Sequence, residues 1–182
     1  SKADLDRLSR HYQTATNMTD QAFALVQLAA RPGAAGAKAL EDFFSRWKDD
    51  HVVIDTWFSA QAMSPASTTT RRVRALTRHP LFARTAPNKV RALIGTFAMS
   101  NPVQFNRADG GGYALLADEV LALDAFNPQV AARILGAFRS WRALEPQRRK
   151  LARQELQRIA RTKGLSRDVF EIVTRMLEPP QE

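Results

Sequence analysis

Two arginines and a glutamine carry the most pointed chemical suggestion in this chain. Val90, Leu93, Ile94 and Phe97 fall on one side of a helix, so Arg91 points elsewhere and shares its face with Gly95 and Ala98. Val130, Ile134, Phe138 and Trp141 form the inward side of another helix. That leaves Gln129 and Arg133 four residues apart on a different face, followed by Gly136 and Ser140. Each helix thereby presents an arginine on a surface of small residues. A guanidinium fork suits carboxylates and peptide carbonyls, so such a surface can line a cavity or groove. The same pattern also arises where two helices pack closely with arginine at the rim, and spacing alone does not decide between them.

Other chemistry is mostly missing. His11, His51 and His79 are scattered, and none belongs to a His-Glu-x-x-His zinc signature. There is no Gly-x-Ser-x-Gly elbow and no Walker-type phosphate loop. The run Gly110-Gly111-Gly112 is not followed by Lys-Ser or Lys-Thr and no strand precedes it. It reads as a flexible connector, with a phosphate cradle as the alternative. With no cysteine, disulfides and thiolate metal sites are impossible. The residues therefore predict no catalytic group and no metal ligand in this chain.

The 182 residues carry a net charge of +9, and its distribution bears on partners. Residues 1–60 balance at −1, residues 61–108 hold 8 basic and no acidic side chains, and residues 109–182 balance at +2. The excess lies between Arg71 and Arg107. Arg71, Arg74 and Arg78 share one helical face, with Arg72 beside them. Such a face can neutralise phosphates with salt-dependent affinity. Without interleaved aromatics it reads rather as a solvated face docked against an acidic neighbouring domain. No apolar run approaches the ~20 residues that span a bilayer, and Ser1-Lys2-Ala3-Asp4-Leu5-Asp6 has no signal-peptide pattern. A cytoplasmic protein without membrane partners is expected.

Helices must position these side chains, because 3.6-residue periodicity dominates and no strand-like alternation competes with it. Helices are expected over about Leu5 to Thr14, after a cap at Asn17 or Thr19 with Phe23, Val26, Leu28 and Ala30 as apolar residues, around Leu40 to Trp47, and from Val52 to Met63. The arginine-rich helix follows over Thr68 to Thr77. Asn88 is read as the N-cap of the helix through Phe97, Asn101-Pro102 as a short helix or turn, and Asn127-Pro128 as the clearest helix start. Tyr113 to Ala125, a helix from Glu145-Pro146, and one capped by Ser166 complete about ten. The expected fold is all-α, antiparallel pairs in a HEAT- or armadillo-like right-handed superhelical array, as one domain over residues 1–182. A closed helical bundle is the alternative.

Seven segments in order carry a family resemblance. They are Asn17-Met18-Thr19-Asp20, Asp55-Thr56-Trp57-Phe58-Ser59-Ala60-Gln61-Ala62, Ser64-Pro65-Ala66, Asn88-Lys89-Val90-Arg91-Ala92-Leu93-Ile94-Gly95, Ser100-Asn101-Pro102, Asp109-Gly110-Gly111-Gly112-Tyr113 and Asn127-Pro128-Gln129-Val130-Ala131-Ala132-Arg133. Together they resemble the C-terminal helical domain of bacterial aminopeptidase N, an alanyl aminopeptidase of the gluzincin zinc peptidases, over about Tyr12 to Leu177. The resemblance implies a parent enzyme that removes N-terminal residues from peptides. Its zinc ligands, general-base glutamate and Gly-x-Met-Glu-Asn loop belong to a catalytic domain whose motifs do not occur in this sequence. This chain would then be the last part of such an enzyme, with Ser1 an artificial or processed start, zinc held elsewhere, and no activity alone. Its partners would be that catalytic domain and peptide substrates, with nucleic acid disfavoured. The resemblance also implies cavity-lining, substrate-positioning roles for Arg91, Gln129 and Arg133. The competing reading is a free-standing helical-repeat module that binds nucleic acid or an acidic protein.

Overall fold

A computed structural model describes residues 1–179, and among them every regular element is a helix. Local capping explains where most helices begin. Ser1 Oγ and the Asp4 carboxylate form a reciprocal capping box ahead of α1 (Lys2–Thr14). Asn17 Oδ1 accepts from the Asp20 amide at 2.9 Å to open α2 (Met18–Ala29). Gly33, at φ 116, turns the chain into α3 (Ala34–Trp47). The Asp50 carboxylate accepts from the amides of Val52 and Val53, holding a turn there, so α4 starts at Ile54 rather than Val52 (Ile54–Ala62). The arginine-rich α5 spans Thr69–Leu76.

The next helix, α6, is continuous but not uniform. It runs as α-helix over Pro87–Val90, π-helix over Arg91–Gly95, and α-helix again over Thr96–Ser100. It starts two residues before the position expected for it, because Pro87 takes the favoured first helical site and Ala86 becomes the cap. Asn88 does not cap; its side chain accepts from the Arg91 guanidinium. A π-turn displaces the usual i→i+4 partners, and side chains take up the slack. Ser59 on α4 donates to the Ala92 carbonyl at 3.0 Å, and Thr96 Oγ1 to the Arg91 carbonyl at 3.3 Å.

Asn101 caps the short α7 (Pro102–Phe105), and α8 (Gly111–Asp124) follows. The triple glycine is not a flexible connector. Gly110 adopts φ 74 as the N-cap of α8, and Gly111 and Gly112 form its first turn. Gly112 lies against the Phe105 and Gln104 carbonyls so closely that only a hydrogen fits between them. Asn127 caps α9, α-helical over Pro128–Leu135 and then 3-10 over Gly136–Ala143. Glu145 and Ser166 accept from the amides that open α10 (Pro146–Ala160) and α11 (Arg167–Leu177).

These eleven helices bury two apolar clusters. One joins Tyr12, Leu25, Leu28 and Phe43 of α1 to α3 with Ala60 of α4. The larger runs from Phe58 and Val73 through Phe97, Tyr113 and Phe138 to Val173. Trp57 packs against both, and its indole N–H donates to the Leu40 carbonyl at 3.0 Å. The apolar face expected on α6 is fully buried: Val90, Leu93, Ile94 and Phe97 are each 0% exposed. Phe23 departs from expectation. It is 59% exposed, because Gln21, Ala24, Leu25 and Leu28 form the inward face of α2 instead. His79 stands edge-on to Phe44 and Phe58, and burial holds its imidazole below the usual histidine range. No helix among the described residues is long and apolar enough to cross a membrane.

Candidate functional site

Arg91 and Arg133, distant in sequence, line one groove. Its volume is about 370 Å³, and α6 contributes Pro87, Arg91, Gly95, Thr96, Met99 and Ser100. From α9 come Val130, Arg133 and Ile134. Both arginines are exposed. Arg91 is steadied by the Asn88 side chain. The π-turn helps place it, since the local widening of the helix occurs over Arg91–Gly95 itself.

The small residues beside the arginines distinguish an open groove from a close helix–helix contact. A Cβ built on Gly136 meets nothing within 4 Å, and one on Gly95 meets only atoms of its own helix, at 3.9 Å. Helices that need glycine to approach would place a neighbour's backbone there, as happens at Gly36 and Gly112. No neighbouring backbone closes on either glycine, and Arg91, Arg133 and Ser140 are exposed. Gly95 and Ala98, expected on the face of Arg91, are nevertheless buried, and Ala98 joins the larger apolar cluster.

Gln129 does not join Arg91. It lines a second groove of about 600 Å³ between α9 and α11, which shares Arg133 with the first. That second groove also holds Arg139, Arg142 and Arg175, which sequence periodicity does not single out. The reason is the 3-10 stretch of α9. With three residues per turn, side chains at i and i+3 eclipse. Leu135, Phe138 and Trp141 thus all point inward, while Gly136, Arg139 and Arg142 follow one another along the groove. The spacing of three was visible in the sequence, although an α-helical period also accommodates it.

The basic run divides in two. Arg74 pairs with Asp118 at 2.9 Å, and Arg158 grips the same carboxylate at 2.8 Å, tying α5, α8 and α10 together. Arg84 meets the buried Glu119 through both nitrogens of a fork, at 2.8 and 2.9 Å, which raises its pKa further. Lys89 reaches Asp55 at 2.5 Å, and Arg107 reaches Asp109 at 2.6 Å. No such carboxylate partner engages Arg71, Arg72, Arg78 or Arg91 among the described residues. Nor does any group of three or more His, Asp or Glu side chains there stand where it could hold a metal ion.

A stack of short helices joined by tight turns, with grooves between them, defines an armadillo-type repeat domain. The family described as "Domain of unknown function (DUF3458_C) ARM repeats" matches residues 1–178, and the chain belongs to it. Curated relatives carry the resemblance further. Aminopeptidase N of Caulobacter vibrioides is 42% identical over 174 residues, and that of Escherichia coli 34% over 170 residues. These alignments cover 96% and 93% of this chain but 20% of each relative, so the chain spans about a fifth of their length. The crystal structure of Legionella pneumophila aminopeptidase A in complex with aspartic acid superimposes with a TM-score of 0.90 at 33% identity. It is matched over 97% of this chain and 21% of its own.

Proposed function

We propose that this chain is the C-terminal, substrate-facing section of a zinc aminopeptidase that removes N-terminal residues from peptides in the cytoplasm. Its part is to cap and line the cavity, to gate peptide entry, and to position the peptide through Arg91, Arg133 and Gln129. One observation carries the reading: Arg91 and Arg133, both exposed, line a single groove beside Gly95, where an added Cβ would meet only atoms of its own helix. The similarity to aminopeptidases over more than nine-tenths of the chain supports it. Cationic forks orient peptide carbonyls or a terminal carboxylate and so hold the scissile bond in place, while proton transfer and the zinc belong to the catalytic domain. The two buried clusters supply the rigidity that such positioning needs.

The test is steady-state kinetics of the full-length enzyme on a tetrapeptide, with this chain alone as the blank. A hydrogen bond to a charged group contributes about 1.5–3 kcal/mol when well sheltered, and these arginines are exposed. Arg91→Ala and Arg133→Ala should therefore each raise KM about tenfold with kcat little changed, the mark of lost uniform binding. The blank should show no turnover. Unchanged KM in both variants would reject the assignment, and hydrolysis by the blank would reject the division of labour.

A further inference from the structure

The second groove concentrates positive charge. Arg133, Arg139, Arg142 and Arg175 all line it, together with Gln129 and Trp141, and among the described residues no carboxylate does. Glu171, one turn from Arg175 on α11, pairs with Arg167 and is held below the usual carboxylate range first by that arginine and also by the charge of Arg175. The Arg142 guanidinium donates to the Glu178 carbonyl. Among the described residues no hydrogen bond or ion pair engages Arg133, Arg139 or Arg175. Like charges gathered in a cleft repel one another and focus a field that draws in anions. The volume of about 600 Å³ lies inside the range of sites for small molecules and short peptides.

Geometry sets what kind of anion fits. On the 3-10 stretch, Arg139 and Arg142 sit one turn apart, roughly 6 Å along the axis, and Arg175 faces them from α11. Three separate forks at that spacing match several carboxylates on one flexible chain better than one compact ion. A single-stranded nucleic acid would need an open aromatic face, and Trp141 offers none. It is 7% exposed, its N–H donates to the Met176 carbonyl at 3.1 Å, and the Arg142 guanidinium covers its ring at 4.8 Å.

We propose that the groove between α9 and α11 binds an acidic segment of a peptide, engaging two or more carboxylates at once through Arg139, Arg142 and Arg175. The proposal rests on the reading above in one respect, that a peptide meets the shared edge at Arg133. It adds a preference: peptides with Asp and Glu clustered beyond the N-terminal residue are the favoured class.

Fluorescence anisotropy with the 182-residue chain tests it directly. The probes are labelled Ala-Ala-Gly-Glu-Asp-Glu and its neutral counterpart Ala-Ala-Gly-Gln-Asn-Gln. The acidic peptide should bind at least about tenfold more tightly at low salt, with the advantage shrinking as salt screens the charges. The advantage should vanish in the double variant Arg139→Gln/Arg175→Gln and persist in Arg71→Gln, which lies outside both grooves. All three arginines are exposed, so the substitutions leave the core untouched. Equal binding of the two peptides would overturn the proposal. So would an advantage that survives the double variant, one lost equally in Arg71→Gln, or stronger displacement by hexathymidylate than by unlabelled acidic peptide. The kinetics of Arg91→Ala in the full-length enzyme report on the earlier proposal separately. Unchanged KM alongside selective acidic binding sinks that reading alone, and the converse pattern sinks this one.

Discussion

Replacing Gly112 by alanine should destabilise this chain by about 3 kcal/mol, with a fall in Tm of roughly 6–12 °C for a protein of this size. An alanine Cβ would stand 2.2 Å from the Phe105 carbonyl oxygen and 2.7 Å from that of Gln104, distances that no unstrained carbon tolerates. Both obstacles are backbone, so relief requires α8 to lift away from α7 rather than a side chain to rotate. Alanine restricts the unfolded chain and favours the fold by about 0.4–1 kcal/mol, which does not offset such a clash. The consequence reaches the grooves, because α9 packs on α8 and carries Arg133. Gly136→Ala is the matched control. Its φ of −54 is helical and nothing lies within 4 Å of the added carbon, so Tm should hold or rise slightly. Calorimetric scans of the two variants separate close packing from a general intolerance of alanine.

Phe58→Ala should cost about 3–5 kcal/mol, the usual range for emptying a buried phenylalanine site, and lower Tm by roughly 6–20 °C. Phe58 is 0% exposed and its ring stands 5.1 Å from Trp57, 5.9 Å from His79 and 6.1 Å from Phe82. Trp57 touches both apolar clusters, so the cavity would open where they are joined. The hole also admits water to His79, whose pKa should then rise toward its ordinary value, as proton NMR of the imidazole would report. Phe23→Ala provides the contrast: at 59% exposure it should change stability by less than about 0.5 kcal/mol.

Much of the fold was legible because helix signals are local. Asn17, Asn127, Glu145 and Ser166 announce helix starts, and their side chains do accept the amides that capping requires. The buried face of α6 follows from four apolar residues at helical spacing. The departures have physical causes as well. Asn88 loses the cap because Pro87 is better placed to begin the helix. The glycines at 110–112 look like slack in a sequence, yet one supplies a positive φ and another a close backbone approach, and neither need is written in neighbouring residues.

The candidate site divides the same way. That Arg91 and Arg133 turn away from the core is visible in periodicity, whereas the sharing of one groove depends on how α6 and α9 pack. The π-turn that carries Arg91 is accompanied by a tertiary contact, the bond from Ser59 to the Ala92 carbonyl, and the 3-10 stretch aligns Arg139 with Arg142. A window of eight residues does not separate a period of three from one of 3.6. For that reason the arginines of the second groove emerge only from the structure. Charge behaves similarly: the basic excess over residues 61–108 looks like one surface, but Arg74, Arg84, Lys89 and Arg107 are committed to carboxylates inside the chain.

We propose that the groove between α6 and α9 holds peptide. The most direct test is a crystal structure of the full-length enzyme with a non-hydrolysable peptide analogue. A peptide carbonyl or carboxylate oxygen is expected within about 2.7–3.2 Å of the guanidinium nitrogens of both Arg91 and Arg133. A bound analogue that leaves both arginines facing solvent, or a groove filled by another part of the enzyme, would contradict it.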